Sequence, residues 1–408
     1  MTKKNEISKA SLPIICFLVL MIFTFTGCES YDNFEAVFIG AGNVNDDKVR
    51  IAVYEPLSGP DKEYGELEKM GIEIANQLFP RALGKKVELL YFDNKSDIYI
   101  AEMVVQEMVD KRVAVVLGSY GSVNSLMAAS KLEQASIPAI TITNTNPLVT
   151  RNNPFYFRVS YTDSFQGVAL AKYIVEALEI KNAAIIKPLQ DDFAAAVSKS
   201  FSTKMIQLTE NEGAIVDNED YIPGEKDFSK QLNSISKSGA KVVFLPGKVK
   251  DTIEIIKQAD EMKLDLLFLG TDQWENQKIL KLAEENAKIK IAYSVLFGTK
   301  PVSDPLSESF LSAFKAKYGA DAVPESATVL AFDSYIIAID AINRAGTASD
   351  GTAVRDALQN TVQFKGVSGT ISFDEHGDPI KSVAIKGNIN GKMESIFTVE
   401  PKWVIQGI

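Results

Sequence analysis

Val49-Arg50-Ile51-Ala52-Val53-Tyr54, the turn Pro56-Leu57-Ser58-Gly59-Pro60 and the helix-length Glu63–Leu78 behind it decide the fold of this chain. A short apolar, β-branched run, a glycine–proline turn and a longer stretch of helical spacing make one strand–helix unit. The unit repeats. Strand-like runs at Val87–Phe92, Val113–Leu117, Ala139–Thr143, Ala183–Lys187, Val242–Leu245 and Leu266–Gly270 alternate with helical segments. These are Asp97–Lys111, Asn124–Ala135, Ser164–Leu178, Ala194–Asn211, Phe228–Ser238 and Thr252–Met262. Continuous apolar strands separated by helices are buried on both faces, which predicts βαβ units and mainly parallel sheets in an α/β fold. The C-terminal third changes character. Ser326–Arg344 reads as a long apolar-rich helix and Thr352–Gln359 as a short one. Beyond Phe364 the chemistry is that of hairpins: Gly369–Phe373 and Ser382–Lys386 flank the turn Asp374-Glu375-His376-Gly377-Asp378, and a second hairpin is expected around Asn388-Ile389-Asn390-Gly391.

Upstream of the first strand, Lys3, Lys4 and Lys9 precede the unbroken apolar run Ile14–Phe23. That run is short for a membrane span, which needs ~20 residues, and fits the apolar core of a signal peptide. Phe25-Thr26-Gly27-Cys28 follows, with small residues just before a cysteine as at a bacterial lipidation site, although Phe25 is bulkier than the usual leucine. The expectation is a signal peptide over 1–27, lipid on Cys28 and a flexible tether over 28–47, which is polar and carries Asn43, Asn45, Asp46 and Asp47. The only other cysteine, Cys16, lies in the segment to be removed, so no disulfide and no cysteine–metal site is expected. The body, about 380 residues, is long enough for two domains with cores of their own.

The net charge is −10, falling to about −12 after cleavage, and no basic cluster interrupts it. Phosphate backbones demand a basic surface, so nucleic acid is excluded as an expected partner. No second run long enough to span a bilayer is evident, so contact with the membrane is expected only through the anchor at Cys28.

In parallel sheets ligands bind beyond the carboxyl ends of strands, among loops and helix N-termini. The first half offers Tyr64 behind the first turn, Gly118-Ser119-Tyr120-Gly121-Ser122-Val123-Asn124 at the start of a helix, and Thr143-Asn144-Thr145. These loops carry hydroxyls, amides and glycine but no acid–base pair. A glycine-bearing turn at a helix N-terminus presents free N–H groups, a ready site for a carboxylate, to which Ser122 can add its hydroxyl. The second half offers Pro188–Phe193, Pro246-Gly247-Lys248 and Thr271-Asp272-Gln273-Trp274. Asp272, directly behind an apolar strand, can face an ammonium group across a cleft. The competing structural reading is that Ser122 and Thr145 merely cap helices or turns.

Further stretches match in order along the chain: Ser58-Gly59-Pro60 with Tyr64-Gly65, Tyr91–Asp97, Gln166-Gly167 with Ala171-Lys172-Tyr173, Gly224-Glu225-Lys226-Asp227-Phe228, and the tail from Phe373 through Ile385-Lys386 to Asn390-Gly391-Lys392. On these residues, from about Val49 to Met393, the chain resembles the branched-chain amino-acid (leucine, isoleucine, valine) periplasmic binding proteins, type I solute-binding proteins of ABC transporters. The resemblance implies two Rossmann-like lobes joined by three crossovers, with a small amino acid or related carboxylate or amide between them and a membrane permease as partner. By position it implies Ser122 and Thr145 for the ligand carboxylate, and the Thr143 carbonyl and Asp272 for its ammonium. Tyr64 and Phe193 become aromatic walls, Phe193 standing where a tyrosine is common. Lys248 stands where the family often places an aromatic, which puts polar or acidic ligands on a par with aliphatic ones. Crossovers are expected near Tyr161–Asp163, Leu296–Gly298 and Lys365–Gly369, giving one lobe from 48–162 and 297–366 and a second from 163–296 and 367–408.

An enzyme is the main rival class. The sole histidine, His376, sits in a turn, and neither a nucleophile elbow, a zinc motif nor a phosphate loop is present, so no catalytic residue, metal site or cofactor is expected. A sensing receptor with the same lobes is the other rival, and no short motif separates it from a transport protein. Phe332 and Tyr335 share helical spacing with Ile336 and Ile339, which predicts core packing; Trp274 can close over a ligand or cover the lobe surface.

Overall fold

In the computed structural model, which describes residues 48–296, 304–389 and 392–399, strands and helices alternate and sort into two main sheets. The first has the order β2-β3-β1-β4-β5-β6. Its centre, β1 (Val49–Glu55), lies parallel to β3 (Lys85–Asp93) on one side and β4 (Val115–Gly118) on the other, with Val53 opposite Tyr91 and Leu117. β5 (Ala139–Thr141) and β6 (Tyr156–Arg158) extend it in parallel, and the short β2 (Arg81–Ala82) closes the other edge antiparallel. Between the strands run α1 (Lys62–Leu78), α2 (Ile98–Asp110) and α3 (Ser122–Gln134). Asp97 starts α2 by accepting the N–H groups of Tyr99 and Ile100 at 2.8 and 3.2 Å, which satisfies two donors that the helix itself leaves free.

The chain then enters the second sheet, of order β16-β15-β11-β10-β9-β7-β8. Helix α4 (Asp163–Lys172), prolonged by a π turn over Tyr173–Ala177, packs on α5 (Asp192–Thr209), which follows β7 (Ala183–Pro188). Close approach is possible because Gly167 has no side chain: a Cβ there would stand 2.5 Å from the Val197 carbonyl oxygen. Next come β8 (Ile215–Tyr221), α6 (Ser229–Ser238), β9 (Val242–Phe244), α7 (Val249–Glu261), β10 (Leu267–Gly270), α8 (Gln277–Glu285) and β11 (Lys290–Val295). Strands β8 and β11 and helix α8 were not among the expected elements. β8 is the edge strand Ile215-Val216-Asp217-Asn218-Glu219-Asp220-Tyr221, and an edge strand needs little apolar surface.

Helices α9 (Pro305–Tyr318), α10 (Ser326–Ala345) and α11 (Gly351–Gln359) return to the first half. Helix α10 is long and apolar enough to cross a membrane by length and composition, contrary to the reading that no second such run exists. It is mostly buried, however, with Phe332, Tyr335, Ile336 and Ile339 in one core with Ile51, Ile72 and Phe157. Each such side chain contributes ~1.5–3 kcal/mol of burial. Phe332 and Tyr335 are thus core residues, and the Tyr335 hydroxyl donates to Asn76 Oδ1 and the Phe79 carbonyl.

The tail differs from expectation in two respects. Strand β13 (Gly369–Phe373) pairs with β12 (Phe364–Gly366) and β14 (Pro379–Ile380), not with the segment from Ser382. That segment, β15 (Val383–Ile389), joins the second sheet, antiparallel to β11 and to β16 (Lys392–Val399). Moreover Val367, Ile371 and Phe373 belong to the core of the first sheet, and the Phe373 ring packs at a tilt against Phe157. Strand pairing passes to the second sheet between β14 and β15, although Val383 and Val399 of that sheet also reach the same core. The signal peptide, Cys28, the tether and most of the Leu296–Gly298 crossover lie outside the described residues.

Candidate binding site

Six strand ends converge on one cavity of about 770 Å³. From the first sheet come the loops behind β1, β4 and β5; from the second, those behind β7, β9 and β10. Both groups flank the position where strand order reverses, between β1 and β4 and between β7 and β9. All seven residues singled out from the sequence, Tyr64, Ser122, Thr143, Thr145, Phe193, Lys248 and Asp272, line this cavity.

On the first side, Gly121 adopts φ +86°, which frees the turn to open helix α3 with Ser122 at its first position. The Tyr64 and Tyr120 rings stack in parallel with centroids 4.6 Å apart. The Thr143 hydroxyl donates its hydrogen to the buried Glu68 carboxylate, so towards a ligand both that oxygen and the main-chain carbonyl can only accept. Thr145 accepts the Asp163 N–H through its carbonyl at 2.9 Å. The loop carrying both threonines is held from below by Arg158, a fully buried guanidinium that donates to the carbonyls of Asn144 and Asn146, to Thr150 Oγ1 and to the Asp378 carboxylate at 2.6 Å. Asn144 Nδ2 in turn donates to the Ser119 carbonyl at 2.8 Å and locks this loop to the one before α3. Ser58, in the first turn, is engaged by Asp93 at 2.6 Å and is absent from the cavity lining.

On the second side, Asp272 is partly accessible as a residue, but its Oδ1 is shut off from solvent and has no partner. Burial raises its carboxyl to about pKa 7, with the acids Asp163 and Glu275 adding to the rise against an opposing hydrogen bond involving Gln166. The Asp272 N–H donates to Gln166 Oε1 at 3.1 Å, and the same oxygen accepts from Ser294 at 2.9 Å, while Gln166 Nε2 is buried without a partner. Burial likewise raises Asp163 to about 6. Among the described residues no ion pair joins a cation to Asp272 or Asp163. Lys248 is the residue before α7, and its side chain is exposed at the mouth. No ion pair among the described residues joins it to Asp272 or Asp191; Asp191 is occupied in capping α5, accepting the Ala194 N–H at 2.9 Å. Trp274 does neither thing expected of it: it is completely buried in the second core, where Gly270 makes room for its indole. His376 is exposed in its turn.

Among the lining residues that the sequence did not single out, three stand out. Ser326 lines the cavity from the start of α10 with an unpartnered buried Oγ, and Leu67 and Leu296 add apolar wall. Leu67 and Ser326 reach the cavity from a helix face and a helix start, away from the strand-end loops, and Leu296 follows β11, a strand that the apolar runs did not mark.

The profile of the family described as "Periplasmic binding protein" matches residues 48–386. The chain is 27% identical over 343 residues to the leucine-, isoleucine-, valine-, threonine- and alanine-binding protein of Pseudomonas aeruginosa, covering 81% of this chain and 87% of that one. Among solved structures it is similar to the leucine binding protein LivK of Thermotoga maritima, with a TM-score of 0.76, 29% identity and coverage of 87% and 99%. It is also similar to LivJ of Streptococcus pneumoniae in complex with isoleucine, with a TM-score of 0.74, 26% identity and coverage of 87% and 100%. With two sheets presenting their strand ends to one cavity and a match across most of its length, the chain belongs to the periplasmic binding protein family.

Proposed function

We propose that this protein captures a small α-amino acid in the cavity between its two sheets and delivers it, outside the cytoplasm, to the permease of an ABC transporter. The single observation that carries the ligand class is polarity across the cavity: hydroxyls and a helix start on the first side, an unpartnered buried carboxylate at Asp272 on the second. A zwitterionic α-amino acid fits such a pair of poles, the carboxylate at Ser122 and Thr145 and the ammonium between Asp272 and the Thr143 carbonyl. The relatives named for leucine, isoleucine and valine support the same class. Leu67, Leu296, Tyr64 and Phe193 supply apolar wall for a side chain, and Lys248 at the mouth supplies a polar contact for a larger one.

The role is binding rather than catalysis. The lobes are residues 48–162 with 304–380 and residues 163–296 with 383–399, and closing them brings Asp272 toward Ser122. The anchor is lipid on Cys28 after removal of residues 1–27, supported by the lysines, the apolar run and the small residues before that cysteine. Mass spectrometry of the membrane fraction tests the anchor: a diacylglyceryl-modified N-terminal Cys28 is expected, and an unmodified N-terminus elsewhere refutes it. A thermal-shift screen of the twenty amino acids, small amides and dicarboxylates tests the ligand class. Stabilisation by at least one amino acid is expected; a flat response across the panel counts against it.

A further inference from the structure

Beneath the first side of the cavity lie two glutamates that the binding role does not use. Glu55 ends β1 and Glu68 lies on α1; both are completely buried. Glu55 Oε2 accepts the Tyr120 N–H at 2.8 Å, and Glu68 Oε1 accepts the Thr143 hydroxyl. Their other oxygens, Glu55 Oε1 and Glu68 Oε2, are buried without a donor, and each carboxyl group lies close enough to act on the titration of the other. Room for this pair depends on Gly118, where a Cβ would stand 2.1 Å from Glu55 Oε1. Two bare carboxylates in that position would repel without water between them, and like charges so close cannot both ionise at neutral pH.

We propose that Glu55 and Glu68 share one proton across this buried contact, and that the resulting carboxyl–carboxylate clasp is the positioning element that fixes the Tyr120 loop and the Thr143 loop relative to each other. Tyr120 and Thr143 both line the cavity, so the clasp sets the side on which the proposed ligand carboxylate rests. The titratable groups around it are Tyr54 beside Glu55 on β1 and Tyr120 before α3; Tyr64, Asp61 and Asp272 lie beyond Tyr120. None of these is a cation, so nothing on these elements supplies the charge that a proton supplies here. Burial raises both carboxyls, Glu68 to about 7 and Glu55 well above the ordinary range, where the charge of Glu68 adds to the rise. The folded protein then holds a proton that the unfolded chain releases. Stability from this source is present below the ordinary carboxyl range and is lost as pH rises toward 7.

Three measurements on the full chain test the clasp. The infrared difference spectrum between wild type and Glu55→Gln at pH 7 should show a protonated carboxyl in the wild type that the variant lacks; no such difference overturns the proposal. Between pH 5 and 7 the unfolding constant of the wild type should rise more steeply with pH than that of Glu55→Gln, by up to about tenfold per pH unit for one proton. Parallel slopes overturn it. The third arm rests on the proposed amino-acid binding. Glu68→Gln, which can still accept from Thr143 and donate to Glu55, should keep its affinity, whereas Glu68→Leu should lose about tenfold or more. Equal loss in both overturns the positioning role. Should Glu68→Leu not fold, the first two measurements decide; and if the wild type binds no amino acid, they still judge the clasp, while the functional reading alone fails.

Discussion

Asp272 faces the cavity as an acid without a base. Its carboxyl sits near pKa 7 with a buried Oδ1 that has no donor, and under the proposed function the ligand ammonium is its counter-charge, met on the side of the carboxyl that lines the cavity. The sign of the pH dependence follows. Only the ionised carboxylate attracts an ammonium, so amino-acid affinity should fall as pH drops below about 7, by up to tenfold per unit, in calorimetric titrations at pH 5, 6, 7 and 8. The unliganded protein should show the opposite trend, because a raised carboxyl holds its proton in the folded state and loses that stability as pH rises through about 7. Asp272→Asn removes the charge at nearly constant shape and should weaken binding by ~2–5 kcal/mol while leaving the melting temperature of the unliganded protein unchanged or higher. Ser122→Ala should weaken binding in the same direction. Normal affinity in both variants would show that the site lies elsewhere. At this scale the sequence brings together residues that follow strands: all seven expected ones line the cavity, and their contact with a ligand is what these variants test. It was silent on Glu55, Glu68 and Arg158. Their partners come from distant segments, Arg158 meeting Asp378 across 220 positions, and no spacing rule encodes such a meeting.

Elements are set by local pattern and by how closely they can approach. Helices α1 and α10 cross at Gly71, where a Cβ would stand 2.0 Å from the Thr328 carbonyl oxygen. Main chain cannot yield as a flexible side chain can, so Gly71→Ala should destabilise the protein by ~1–3 kcal/mol in urea unfolding. A stability equal to wild type would mean that the helices are free to shift. Asp378, from the turn between β13 and β14, pairs with the buried Arg158 that holds the threonine loop. Asp378→Ala leaves that guanidinium short of its counter-charge and should cost ~3–5 kcal/mol; a loss within experimental error would show that its three remaining hydrogen bonds, to Asn144, Asn146 and Thr150, suffice. The alternating apolar runs made β1, β4, β7 and β9 legible. Helix α10 and the tail were legible in type but not in partner. A hairpin-like pattern from Gly369 to Lys386 conceals a change of sheet, because β14 supplies only two residues to pair with β13 before the chain leaves for β11.

At the scale of the whole molecule, the two sheets place complementary poles on opposite sides of one cavity, and a ligand that bridges them favours approach of the two lobes. Small-angle scattering should show a smaller radius of gyration with saturating ligand than without, and no change would mean that the cavity is already in its binding form. The central claim is that this cavity recognises the α-amino and α-carboxylate groups of a small amino acid at the same time. Titration calorimetry with protein unfolded and refolded to remove carried-over ligand tests it most directly, using each amino acid beside its amine and its carboxylic acid analogue. The account predicts one-to-one binding of at least one amino acid, with both analogues weaker by about tenfold or more, because each leaves one pole unpaired. Equal binding of the amino acid and the analogue without its ammonium, or no binding by any member of the panel, would contradict it.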